Sequence, residues 1–425
     1  MSRPLVIYGN AFHVRSAGQY YRVRQPFHAM QQLGLARTFA DDPFQDQGLR
    51  NEFITQSDVQ VHFLTAGKQV HLQTKKFTEL KPALNDNMDM QYPPVVVFDM
   101  DDDIESISPL NPKFCTLGTR GSEGEILMPN DEVGIRFENE SRIVEPMPAP
   151  QHLGMDGDDP VYLWKKGMVT VNGLFDVARN VCQHAQVRKM AATAHAVTVT
   201  TPALADIARR WNKRVFVYPN SINFADFHRF DIRRHTDDVR VLWQGGYSHF
   251  PDFYPLRGAI GEASKRLPQM RYIVFGTMFN WIYERIAPGR VEFHPWVDFM
   301  QFHLKLGTLA FDVNIAPLAN TTFNAAKSAI KFYEAAALKV PTLAQRTGPY
   351  ADEIIDGDTG FLFEQPTDFV EKLEALVKDA DLREKMGQHA YDWVREHRDV
   401  TKTVRPLAEF YHSLRSEVWS LPHAA

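Results

Sequence analysis

Short apolar runs recur along the first half of the chain, at residues 4–8, 58–64, 94–98, 197–202 and 215–222. β-Branched and aromatic residues dominate them, a composition suited to buried strands of a parallel sheet. Between them the apolar positions fall at helical spacing, over 19–34, in a stretch ending near His195, and over 203–211. A polar run at 231–238 interrupts the pattern and reads as a linker. The same alternation then restarts, with strands predicted at 239–243, 271–276, 291–295, 310–316 and 340–344 and helices up to about 267, over 325–338 and over 367–398. Strand–helix alternation run through twice predicts an α/β protein with two Rossmann-like, doubly wound domains. The expected divisions are 1–223, 224–398 and a helical segment at 399–425 that returns toward the first domain.

Composition adds bounds to this picture. The 425 residues exceed one usual domain, and 44% apolar with 23% charged residues is ordinary for a globular protein. A net charge of −5 excludes a global basic field for nucleic acid, leaving only local pairs such as Arg209 with Arg210 and Lys213 with Arg214. Cys115 and Cys182 are too few for a disulfide framework or a cysteine zinc site. No run approaches the roughly 20 apolar residues of a membrane span, and the N-terminus lacks a signal peptide's apolar core. A soluble, cytoplasmic protein is expected.

The stretch from Phe323 to Pro341 carries the candidate chemistry. A helix beginning at the carboxyl end of a parallel strand offers unpaired N–H groups and a positive dipole end, a natural seat for phosphate. Lys327 falls in the first turn of the expected helix, Lys331 lies four residues on, and Glu334 shares their face. Two cations at that end call for an anion, and a carboxylate beyond them could accept hydrogen bonds from a ribose diol. The same spacing also suits a solvated amphipathic face with Lys331 and Glu334 paired. Gly245 and Gly246, at the first turn of the second domain, would let phosphate or ribose approach the backbone, with Ser248 and His249 as hydrogen-bond donors. Gly18 occupies a comparable loop in the first domain, where Arg22 and Arg24 could serve the same anion or cover the surface.

The pattern Phe-Asn-x-x-Lys-Ser-x-x-Lys-x-x-Glu from Phe323 to Glu334, with Gly348-Pro-Tyr350 and Asp356-Gly-Asp-Thr-Gly360 beyond it, resembles the donor segment of retaining GT-B glycosyltransferases, in their bacterial and phage-type branch. Glu334 matches the family's second glutamate, which binds the nucleotide ribose; Ala326 stands where the first would be. The resemblance implies two domains facing a cleft and transfer of a sugar from a nucleoside diphosphate sugar, UDP-type first, to a hydroxyl acceptor, with retention, no metal and no cofactor. It implies Lys327 and Lys331 as the catalytic cations on the leaving diphosphate. Gly18, Gly245, Gly246, Ser248, His249, Asn324, Ser328, Glu334 and Tyr350 would surround the donor. A glycan, a lipid, a protein or a modified base of phage DNA would all suit as acceptor.

The run Asp99-Met-Asp-Asp-Asp103 closes the 94–98 strand and stays open to three readings. It could be a phosphohydrolase nucleophile with a magnesium site, although such motifs want Thr or Val where Asp103 stands. It could be a metal-binding Asp-x-Asp of GT-A type. It also resembles a turn of phage-like GT-B members, in which Asp99, Asp101 and Asp102 face the acceptor. A non-catalytic sugar-nucleotide-binding protein is the remaining alternative, given Ala326. Residues 105–160, rich in Pro, Gly and acids, read as an irregular acceptor-side excursion of the first domain.

Overall fold

The computed structural model describes residues 4–10, 16–40, 47–64, 66, 68–80, 83–84, 90–109, 111, 113–119, 125–127, 133–136, 151–156, 159–164, 169–170, 173–230 and 238–420. The chain divides into two compact units: one holds 1–102, 183–223 and 396–425, the other 103–182 and 224–395. The linker expected at 231–238 lies outside the described residues except for Asp238.

The first unit is built on six parallel strands: β1 Leu5–Asn10, β2 Ala36–Ala40, β3 Val59–Phe63, β4 Val95–Met100, β5 Ala196–Val199 and β6 Val215–Val217. They lie in the order β2-β1-β3-β4-β5-β6. Every residue of β1, β3 and β4 is buried; β1 and β4 accordingly read as nearly continuous apolar runs, while β3 also buries Gln60 and His62. The terminal helix Val400–Ser420 belongs to this unit and sinks Val404, Leu407, Tyr411 and Leu414 into the same core as Ile7, Val59 and Val97. Its far end is fixed by Trp419, which stacks on Tyr92 with centroids 4.5 Å apart and donates to the Pro93 carbonyl.

The helix expected over 19–34 is interrupted by a π-helical segment, Tyr20–Arg24, between Ala17–Gln19 and Gln25–Gln32. The wider turn aims Arg22 inward. Its Nε and Nη2 donate to the two oxygens of Asp99 at 2.9 and 2.7 Å, Nη1 donates to the Tyr218 carbonyl, and Thr198 Oγ1 donates to Asp99 Oδ2 at 2.5 Å. Arg22 therefore neither lines an anion site nor covers the surface, since both it and Asp99 are 2% exposed.

In the second unit β7 Val239–Gly245, β8 Met270–Gly276, β9 Val291–Pro295, β10 Val313–Ala316, β11 Thr342–Gln345 and β12 Gly360–Phe363 form a parallel sheet. Their order is β9-β8-β7-β10-β11-β12, the 3-2-1-4-5-6 arrangement of doubly wound nucleotide-binding folds. One face carries an aromatic core in which Trp243 stacks on Phe253 at 4.3 Å and Phe253 meets Trp281 at 4.8 Å.

Residues 105–160 depart from the expected irregular excursion of the first domain. Asp103–Cys182 clusters with the second unit. Its described part contains four antiparallel strands, Glu125–Leu127, Val133–Arg136, Gln151–Asp156 and Asp159–Trp164. Residues 120–124, 128–132, 137–150 and 157–158 lie outside the described residues. The packing gives the reason: Ile107, Phe114, Cys115, Trp164, Phe175 and Val177 enclose Phe323, the first residue of the candidate donor segment.

Removing one member of the Arg22–Asp99 pair leaves an uncompensated buried charge. Asp99→Ala should therefore cost about 3–5 kcal/mol, whereas Asp102→Ala should stay within about 0.5 kcal/mol. Thermal midpoints of the two variants measured side by side check this.

Candidate active site

The order of the second sheet reverses between β7 and β10, so the crevice lies beyond their carboxyl ends. Asp252 joins the two loops that form it. In the short helix Phe250–Phe253 after β7, its Oδ2 lies 2.8 Å from His249 Nδ1. Its Oδ1 accepts from the Ala319 backbone N–H at 3.0 Å and from Asn324 Nδ2 at 2.7 Å, both in the segment after β10. Burial pushes this carboxyl up, but the His249 contact, the Lys327 charge and the Ala319 N–H together hold it below the usual carboxylate range.

The helix expected over 325–338 is broken. Thr322–Ala325 and Ile330–Ala337 are separate helices joined by a non-helical turn. Good helix propensity yields here to tertiary contacts: Asn324 is tied to Asp252 and to the Ala319 carbonyl. Gly348, at φ +47°, lies so close that an added Cβ would stand 2.9 Å from Ala325 Cα. Lys327 thus sits in the turn, not in a helix's first turn, with Nζ 4.6 Å from the Phe323 ring centroid. Lys331 enters the first turn of the second helix instead. Burial, opposed by Asp252 and Glu334 and reinforced by the Lys327 charge, brings the Lys331 ammonium down to about 8. Glu334, 4% exposed, accepts from Gln244 Nε2 at 2.8 Å, so the end of β7 orients it.

The remaining expected donor residues differ in exposure. Gly245 is buried, and a Cβ there would meet Trp243 at 2.7 Å and His249 at 3.2 Å; at Gly246 the nearest atom would be Trp296 Nε1 at 3.7 Å. Ser248 and Ser328 are half-buried. Asn324 and Tyr350 are buried, and burial, then the charges of Asp252 and Glu334, push the Tyr350 phenol up. Trp296, 47% exposed beside the glycine loop, was not singled out by sequence. It fills the space at Gly276, whose φ of +120° and missing Cβ admit the indole.

Gly18, Asp99, Asp101 and Asp102 belong to the other unit. A Cβ at Gly18 would lie 2.6 Å from Asp101 Oδ2 and 2.7 Å from Phe63, so packing within its own unit requires the glycine. Both oxygens of Asp99 are occupied by Arg22 and Thr198, which leaves the phosphohydrolase reading without a nucleophile there. Asp103 caps the turn that follows, accepting from Glu105 N and Ser106 Oγ.

With this geometry in view, residues 260–393 match the family model of glycosyl transferases group 1. Among solved structures, sucrose-phosphate synthase of Thermosynechococcus elongatus is similar over 98% of this chain and 100% of its own, at 13% identity and a TM-score of 0.58. HepE of Anabaena, solved with UDP and glucose, is similar over 97% and 100%, at 11% identity and a TM-score of 0.54. The chain spans 48% of S. aureus TarM, which covers 57% of it at 15% identity and a TM-score of 0.44. No curated protein matches the chain. The fold is GT-B, and residues 260–393 form a glycosyl transferases group 1 domain.

His62, His195, His249 and His303 are each pushed down to about 4, first by burial. Between that value and the ordinary 6.5 the unfolded chain binds more protons than the folded one. The stability they contribute is complete above about pH 6.5 and drains away as the pH falls toward 4. Thermal midpoints measured across this window should decline steadily on acidification; a flat profile would contradict the burial of these rings.

Proposed function

We propose that the chain moves a glycosyl group from a nucleoside diphosphate sugar to a hydroxyl acceptor, with retention and without a metal ion. The observation that carries this reading is the convergence of Lys327, Lys331 and a Gln244-oriented Glu334 at the switch point of a doubly wound sheet. The two ammonium groups stabilise charge developing on the leaving diphosphate. Glu334 takes the ribose hydroxyls, and the Gly245-Gly246 turn admits the donor close to the backbone. The structure of HepE with UDP and glucose supports a UDP-type donor.

Retention follows, in this reading, from the leaving phosphate assisting the incoming hydroxyl on the same face of the sugar. The geometry of Asp99 favours it over hydrolysis at the aspartate run, because that carboxylate is spent on Arg22.

The test is a thermal-shift screen with UDP, GDP and ADP, each with and without EDTA. One diphosphate should raise the midpoint regardless of chelator, and Lys331→Ala should weaken its binding by about 10- to 100-fold, the loss of one or two charge-assisted hydrogen bonds. A shift that requires magnesium and survives Lys331→Ala would overturn the proposal.

The pH dependence is a separate check. Lys331 is a cation below about 8, so diphosphate affinity of the free enzyme should fall as the pH rises through that value. Lys331→Arg, whose guanidinium stays charged, should remove the fall.

A further inference from the structure

His249 occupies a place that its charge state makes informative. Its Nδ1 faces the ionised Asp252 carboxylate at 2.8 Å and therefore donates to it. In a neutral ring, Nε2 then carries a lone pair. Beyond Asp252, the charged groups acting on the ring are Lys331 and Lys327, which belong to the segment after β10. Burial is the largest influence, the two lysines add to it, and Asp252 opposes both; the balance holds the imidazole at about 4. Before a ligand arrives, the crevice thus contains two ammonium groups and a neutral ring held in place by a buried carboxylate.

A lone pair aimed toward a diphosphate repels it, whereas a protonated Nε2 attracts it. An arriving diphosphate also neutralises the lysines, removing the influence that keeps the ring uncharged after burial itself. We propose that His249 is a conditional third cation of the donor site: neutral in the free protein, it takes one proton from solvent onto Nε2 as nucleoside diphosphate binds and donates that N–H to a phosphate oxygen. This inference rests on the donor-site reading above. It assigns His249 a role opposite to that of Lys331, whose charge is present before the ligand arrives. The step balances as one protein, one diphosphate and one solvent proton, returned when the nucleotide leaves.

The experiment is isothermal titration of the full chain with UDP at about pH 6 in MES, PIPES and bis-Tris, whose ionisation enthalpies separate proton uptake from binding heat. Since UDP itself titrates near this pH, the decisive quantity is the difference between wild type and His249→Asn. The asparagine amide can still donate to Asp252 but presents nothing at Nε2. On binding UDP, wild type should take up more protons than His249→Asn does, by roughly half a proton or more, the linkage expected when a group near 4 rises to its ordinary value or above. Wild-type affinity should also strengthen on going from pH 7.5 to 6, relative to His249→Asn.

His249→Gln is the second substitution. It places an uncharged amide near the Nε2 position, so it should bind UDP with the same proton count as His249→Asn, whether or not the asparagine protein retains its thermal midpoint. Equal uptake in wild type and His249→Gln, with UDP bound by both, would overturn the conditional cation and leave the donor site standing. If UDP, GDP and ADP all fail to bind wild type, the donor-site reading falls and this inference with it.

Discussion

Everything in the second unit's crevice is referred to one buried carboxylate. Asp252 is 5% exposed, a position a charge tolerates only when its lone pairs are met. It meets them with an imidazole from its own loop and with a backbone N–H and an amide from the segment after β10. Two loops that begin on different strands are thereby fixed to one another. The glycine turn, His249, Lys327 and Lys331 consequently hold their spacing without a ligand, and preorganisation of that kind makes electrostatic stabilisation effective.

The same carboxylate explains where the sequence was legible and where it was not. The strands were legible because β1 and β4 are buried on every residue and so are apolar on most of them. The Lys-x-x-x-Lys-x-x-Glu spacing was legible because the three side chains do gather at one crevice. The break of the helix at 326–329 was not, since Ala, Lys and Ser are compatible with a helix and the contacts that forbid it come from Asp252 and Gly348, distant in sequence. The strands within 105–160 were hidden for a related reason. Trp164, at the end of the last of them, packs in one cluster with Phe323, which lies more than a hundred residues away in the chain.

The aspartates after β4 show the limit from the other side. As a string they read as one cluster with one task, yet the backbone distributes them. Asp99 points into the sheet and pairs with Arg22, Asp101 packs against Gly18, and Asp103 caps a 3-10 turn. The strand ends at Met100, so Asp101 to Asp103 follow the turn into the 3-10 segment Ile104–Ser106 and not the strand's alternation; adjacency in sequence does not make a site. The π-helical turn that carries Arg22 to Asp99 is set by the same pairing, which no local pattern announces.

Burial acts on Lys331, His249 and Tyr350 in the direction that removes charge, and there it prevails: Lys331 and His249 go down and Tyr350 goes up. Asp252 by contrast moves toward its charged form, because its hydrogen-bond partners are already in place. The crevice is therefore complete on its anionic side and unfinished on its cationic side. Two ammonium groups share a desolvated space whose nearest acids are already engaged, Asp252 with His249 and Asn324, Glu334 with Gln244. In the proposed reading, a bound diphosphate would supply the missing counter-charge, and the energy spent in crowding the lysines would be recovered when it binds. If sugar transfer follows, negative charge would grow on that diphosphate as the sugar departs, so the attraction would strengthen along the reaction coordinate. An interaction that is stronger at the transition state than with bound substrate is what accelerates transfer.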